Sequence, residues 1–200
     1  MITLELFIAF SVFAFVSSIT PGPNNIMLMA SGTNFGFKKT IPHLLGVNLG
    51  FGFLLFCVGI GLMQIFDLFP IMHDVFKIFC SIYLIYLAYR IATSASQTKN
   101  SQSRARPFSF IQAILFQWIN PKGWSMALTG ISVYSTSSSL VGVLIITLAY
   151  TMINLPCICF WTMLGEQFGR FMTSNLRLRI FNYIMATLLV LTLVQIFFMG

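Results

Sequence analysis

Apolar runs of about twenty residues recur along the whole chain. Each is long enough to cross a hydrocarbon core about 30 Å thick as a helix. Six are predicted: Ile2–Phe37, Ile41–Met63, Phe69–Ala92, Phe108–Tyr134, Leu140–Leu164 and Ile180–Phe198. The ten-residue alternation of a membrane β-barrel does not occur. Two of the six are interrupted. "SSITPGPNNIMLMA", residues 17–30, sets two prolines, a glycine and two asparagines inside the first. "FQWINPKGWSMALTG", residues 116–130, sets Asn120-Pro121-Lys122-Gly123 inside the fourth.

Composition agrees with a membrane protein. Of 200 residues, 58% are hydrophobic and 8% charged, against about 25% charged in an ordinary soluble domain. The mean hydropathy is +0.90. The amino terminus carries Glu5 and lacks the positive start of a secretory signal, so it reads as a retained first span.

The net charge of +7 is spread over separate loops and forms no basic stripe. It reads as a topology signal, with no nucleic-acid partner implied. Lys38 and Lys39 follow the first span. Arg90, Lys99, Arg104 and Arg106 surround the third connection, and Arg170, Arg177 and Arg179 the fifth. Asp67 and Asp74 lie near the second, and the fourth, "YSTSSS", has no charge. Positive loops stay in the cytoplasm, which puts both termini outside. The four cysteines, Cys57, Cys80, Cys157 and Cys159, all lie in apolar runs and read as small hydrophobes.

Pro21 and Pro121 are 100 residues apart, half the chain. Each break falls in the first span of a three-span half, so the halves insert with opposite orientation. Corresponding breaks in inverted halves are the pattern of secondary transporters. The expected fold is an all-α polytopic membrane protein of six transmembrane helices in two inverted three-helix repeats. It forms one domain over 1–200: repeat one about 1–95, a polar cytoplasmic linker about 93–107, and repeat two about 108–200.

From Phe108, Pro121 lies about 18–20 Å deep at 1.5 Å per residue, near the membrane centre. Proline removes a donor and frees carbonyls. Such groups survive in hydrocarbon only where protein or a watery cavity covers them. Pro21, Gly22, Pro23, Asn24 and Asn25 are therefore expected to line a cavity, with Asn120 and Pro121 opposite. A plain kink, or a surface loop between two spans, is the simpler alternative. Lys122 costs about 2.5–3.5 kcal/mol at a helix centre, and such residues mark pathways. Beside a half-helix N-terminus it attracts a carboxylate.

No acid falls at mid-depth, so a divalent cation, which wants several oxygen anions, is poorly served. A small neutral zwitterion fits better. Its carboxylate would meet Lys122, and its ammonium the freed carbonyls and asparagines. Asn48, in "GVNLGFG", and Asn154, before Pro156, are candidates either for the cavity lining or for helix–helix contact. Gly46 and Gly50 form a GxxxG pair that permits close approach. Gln117 adjoins the second break, and Trp118 and Trp124 flank it as cavity walls or packing. His43 is expected at the interface. Cys157 and Cys159 sit at i and i+2, on different helix faces, which argues against a metal. No nucleotide loop, HExxH or GxSxG motif is present, and no cofactor or enzymatic activity is expected.

These same segments carry a resemblance. "ITPGPNNIMLMASGTNFGFKKTIPHLLGVNLGF", "YLIYLAYRIATS" and "FSFIQAILFQWINPKGWSMALTGISVY" resemble the LysE/RhtB family of bacterial amino-acid exporters over essentially the full chain. The first half is most similar to the branch that exports cysteine and O-acetylserine. The resemblance implies a bacterial inner-membrane exporter driven by the proton gradient. It also implies functional roles for Pro21, Gly22, Pro23, Asn24, Asn120, Pro121 and Lys122. The alternatives left open are a metal-cation exporter, a passive channel and a structural membrane subunit. Glycine-rich helix faces would permit a homodimer.

Overall fold

A computed structural model describes residues 3–61, 71–94, 106–134, 140–172 and 174–198. Asp67, most of the 93–107 linker and the serine-rich fourth connection lie outside the described residues. The described residues form eight helices: α1 (Leu4–Ile19), α2 (Pro23–Phe35), α3 (Phe37–Gly59), α4 (Ile71–Thr93), α5 (Phe110–Gln117), α6 (Pro121–Tyr134), α7 (Leu140–Phe171) and α8 (Asn175–Phe198). Among these residues, α3 and α7 are long and apolar enough to cross a membrane. Helices α1 and α2 are long and apolar enough only as a pair, bent by 51° at the break, as in a broken span or a re-entrant loop.

Local chemistry sets the boundaries. The Thr3 hydroxyl accepts from Leu6 N–H to start α1. Ser109 and Gln112 form a reciprocal capping box on α5. Pro23 occupies the first turn of α2, where its missing N–H costs nothing. Gly36, at φ 81°, joins α2 to α3 in a conformation that favours glycine. Pro42 and Pro156 lie inside α3 and α7 without ending them. Helix α7 therefore runs for 32 residues, about 48 Å, beyond the predicted end at Leu164.

The two proline breaks are built differently. The first leaves residues 20–22 outside any helix. The second tightens instead: the N–H groups of Trp118, Ile119 and Asn120 bond carbonyls three residues back, at 3.2, 3.1 and 3.4 Å. That turn uses up carbonyls which Pro121 would otherwise orphan.

Close approaches at glycine hold the helices together. A Cβ on Gly32 or Gly165 would collide with backbone of the facing helix, at Thr162 and Met29 respectively, so α2 lies directly on α7. Gly46 and Gly50 bring α3 onto α5 in the same way, as the GxxxG pair predicts. Large side chains such as Phe53, Leu148 and Met152 face outward on α3 and α7, as expected for surfaces meeting lipid.

The ends are sorted. Phe35, His43, Arg90 and Phe108 gather around one cavity, and Gly169 of α7 abuts Thr33. The flanks of the first, third and fifth connections thus share one end, together with Lys38, Lys39, Arg106 and Arg170. Gly59, Ile131 and Val143 meet at the opposite end. Both breaks lie between the two ends.

Candidate functional site

Breaking a helix orphans its last four carbonyls. The end of α1 shows where each goes. Ser17 O accepts from the Thr20 hydroxyl at 3.0 Å, and Ser18 O from Asn25 Nδ2 at 2.8 Å. Ile19 O accepts from Trp161 Nε1 at 3.0 Å. Thr20 O accepts from Asn25 Nδ2 at 2.8 Å and from Lys122 Nζ at 2.7 Å. Lys122 also donates to Thr20 Oγ1 at 2.9 Å and to Pro21 O at 3.4 Å. One ammonium from the second break therefore closes the first.

Gly22 makes this reach possible. Its backbone is extended, at φ −169°, a conformation open to any residue. A Cβ there would sit 2.5 Å from Lys122 Cδ and 3.1 Å from its Nζ. The bare backbone lets the lysine stem lie across the chain.

A second bridge runs beside the first. Asn24 Nδ2 donates to Gln117 Oε1 at 2.8 Å, and Gln117 Nε2 donates to Asn24 Oδ1 at 3.1 Å. The reciprocal amide pair ties the start of α2 to the end of α5. Asn154 Nδ2 donates to Asn48 Oδ1 at 2.9 Å and joins α7 to α3. Asn154 therefore serves as helix–helix contact and, as described next, also as cavity lining.

These groups surround a small cavity. Ser17, Gly22, Asn24, Asn25, Phe51, Asn120, Lys122, Met126 and Asn154 all face it, and among the described residues no carboxylate does. The Asn120 Oδ1 is buried there without a hydrogen-bond partner, and such orphaned acceptors are uncommon. Tyr150 braces the wall, its hydroxyl 2.5 Å from that of Ser17. The cavity volume is about 20 Å³, room for about one water. An amino acid enters only if the breaks move apart.

The sequence-derived residues are thus largely brought together. Asn24, Asn25, Gly22, Asn120, Lys122 and Asn154 line one cavity, while Asn48 stands behind Asn154. Pro21, Pro23 and Pro121 shape the backbone around it and do not line it. Two expectations change. The freed carbonyls of α1 are held by Asn25, Trp161 and Lys122, so none stands open to the cavity. Of the two readings open for Trp118 and Trp124, packing holds: neither lines the cavity, and Trp124 Nε1 donates to Trp118 O at 2.9 Å at the end of α5. His43, expected at the interface, is buried inside the protein. It is 1% exposed and covered by Phe108, with ring centroids 5.3 Å apart. Sequence reasoning missed Thr20, Ser17, Phe51, Met126, Tyr150 and Trp161. "SSIT" hinted at the first two, since hydroxyls beside a break are ready partners for freed groups.

Among the described residues, no three of His, Cys, Asp and Glu lie together as metal ligands would. Cys57, Cys157 and Cys159 are free thiols.

Comparison with known proteins gives the relationship. No solved structure matches the chain. Three relatives carry the description cysteine/O-acetylserine efflux protein: those of Escherichia coli O9:H4 (strain HS), Escherichia coli (strain K12) and Shigella sonnei (strain Ss046). Each is 31% identical over 203 aligned residues, covering 98% of this chain and 100% of the relative. The family model described as LysE type translocator matches residues 15–199. With nearly the whole chain matched, broken span included, this protein belongs to the LysE-type translocator family.

Proposed function

We infer that this protein is a secondary carrier that exports small neutral amino acids, or their derivatives, from the bacterial cytoplasm across the inner membrane. The efflux role of its relatives supports export. The observation that carries the substrate class is the Lys122 clasp on Thr20. In it an ammonium meets the carbonyl end of a helix, across a cavity without a carboxylate. A zwitterion can replace both sides of that contact. Its carboxylate takes the Lys122 ammonium, and its own ammonium takes the Thr20 and Pro21 carbonyls. The exchange keeps the charge-assisted bonds in number while unlinking the two breaks. A divalent cation finds no anionic ligand there.

The proposed cycle is alternating access of two inverted halves, α1–α4 and α5–α8. Reciprocal packing supports this arrangement. Helix α3 packs on α7 and α4 on α8, each against its counterpart, while α2 packs on α7 and α6 on α3. By the positive loops, the basic end faces the cytoplasm and both termini lie outside. Proton coupling would run through Lys122 or through the substrate's own ammonium, since among the described residues no acid lines the cavity.

The test is exchange of a labelled amino-acid panel, including cysteine and O-acetylserine, in preloaded proteoliposomes with and without an imposed pH gradient. Saturable exchange of neutral amino acids, accelerated by the gradient, supports the whole reading. Saturable exchange indifferent to the gradient keeps the carrier and removes proton coupling. Flux that does not saturate would mean a channel.

A further inference from the structure

A second cavity lies at the basic end, away from the breaks. Its walls come from α2, α3, the last turns of α4 and the segment leading into α5. Its volume is about 50 Å³, more than twice that of the cavity at the breaks. At about 10–15 Å³ per water-sized group, its volume of about 50 Å³ holds about three to five heavy atoms.

Its lining combines two guanidinium residues, Arg90 and Arg106, with His43 and, among the described residues, no acid. Arg90 rests over the ring of Phe108, 5.6 Å from its centroid, and His43 also packs on that ring, with centroids 5.3 Å apart. The polar groups nearby are already committed. Asn34 donates to Ala30 O and forms a reciprocal amide pair with Asn182. Ser31 pairs with Thr40, and Ser94 donates to Arg90 O. His43 is the exception: both ring nitrogens are buried and neither has a partner. A buried polar ring without partners is costly unless something meets it.

We propose that this cavity is a carboxylate-binding subsite, in which an anionic group of about three heavy atoms meets His43, Arg90 and Arg106. A carboxylate has three heavy atoms and accepts at both oxygens. It matches the planar fork of an arginine. Leu87, Ile91 and Phe108 supply an apolar wall for the carbon attached to it. The site lies on the same end as the basic connections, so a cytoplasmic amino acid reaches it before the breaks. That the carboxylate belongs to the exported substrate rests on the proposed function. Binding of the anion does not.

The test uses the full chain in phosphatidylcholine nanodiscs, with histidine rings labelled with nitrogen-15. The protein has 2 histidines, His43 and His73, so His43→Gln assigns the spectrum. Sodium acetate is the probe, against acetamide, sodium chloride at equal ionic strength and inorganic phosphate. A further sample contains phosphatidylglycerol. The expected result is a saturable shift of the His43 resonances with acetate and none with acetamide or chloride. Affinity should fall about tenfold on loss of one charge-assisted contact in Arg106→Gln. Arg106 precedes the helix and is exposed, so this variant should fold. Arg90→Gln provides the second case, with the His73 signal reporting an intact protein. Indifference to acetate, or an equal response to acetamide, would overturn the proposal. So would a response to phosphate or phosphatidylglycerol without one to acetate, which would make this a headgroup site. Acetate has no amine and needs no transport, so failure here is separable from failure of the exporter reading.

Discussion

Lys122 Nζ lies 2.7 Å from the carbonyl oxygen of Thr20, 102 positions earlier in the chain. The contact joins the two proline breaks, one in each half of the sequence. It satisfies the end of α1 and gives the Lys122 ammonium its partner. A charge that is expensive in hydrocarbon is thereby placed where a helix C-terminus favours it.

Gly22→Ala should separate this clasp from the fold. The added Cβ would lie 2.5 Å from Lys122 Cδ, and the flexible lysine stem can move where backbone could not. Protein yield and melting temperature should stay near wild type. Exchange activity should fall about tenfold or more, the equivalent of one charge-assisted hydrogen bond. Proteoliposome exchange beside a melting curve in detergent checks both.

The Asn24–Gln117 pair should behave as a unit. Asn24→Leu leaves the buried Gln117 amide half-paired, at a cost of about 1–3 kcal/mol. Gln117→Leu should cost a similar amount. The double variant should cost less than the two together, with a coupling of about 0.5–3 kcal/mol. Denaturation of the four proteins in one detergent measures it. Additive losses would mean that the pair does not link α2 to α5.

Glycines should differ sharply. At Gly32 a Cβ meets the Thr162 backbone, whereas at Gly130 the nearest atom is 3.7 Å away. Gly32→Ala should therefore destabilise by about 1–3 kcal/mol as α2 is pushed off α7. Gly130→Ala should be nearly neutral. Thermal unfolding of the two purified variants, compared with wild type, decides this.

The sequence made some of this legible and hid the rest for physical reasons. Apolar length predicts helices, and proline with asparagine inside an apolar run predicts a break, because each signal is local. Pairing across the fold leaves no such trace. Nothing near Asn24 names Gln117 as its partner, and nothing near Thr20 announces Lys122. His43 follows Pro42 near a span end, which suggested an interface, yet the segment around Phe108 folds over it. Position alone left Trp124 as cavity wall or packing; its indole N–H turns back to a carbonyl that its own break had left open.

Exchange by Lys122→Gln and wild type, in preloaded proteoliposomes at matched reconstitution, tests the role of the clasp most directly. Glutamine keeps an N–H donor on a side chain one bond shorter, and removes the charge that the substrate carboxylate is proposed to meet. Saturable exchange of neutral amino acids in wild type, with at least a tenfold loss in the folded variant, is the expected result. Exchange at the wild-type rate and KM in Lys122→Gln would contradict it, because the carboxylate would then be held elsewhere.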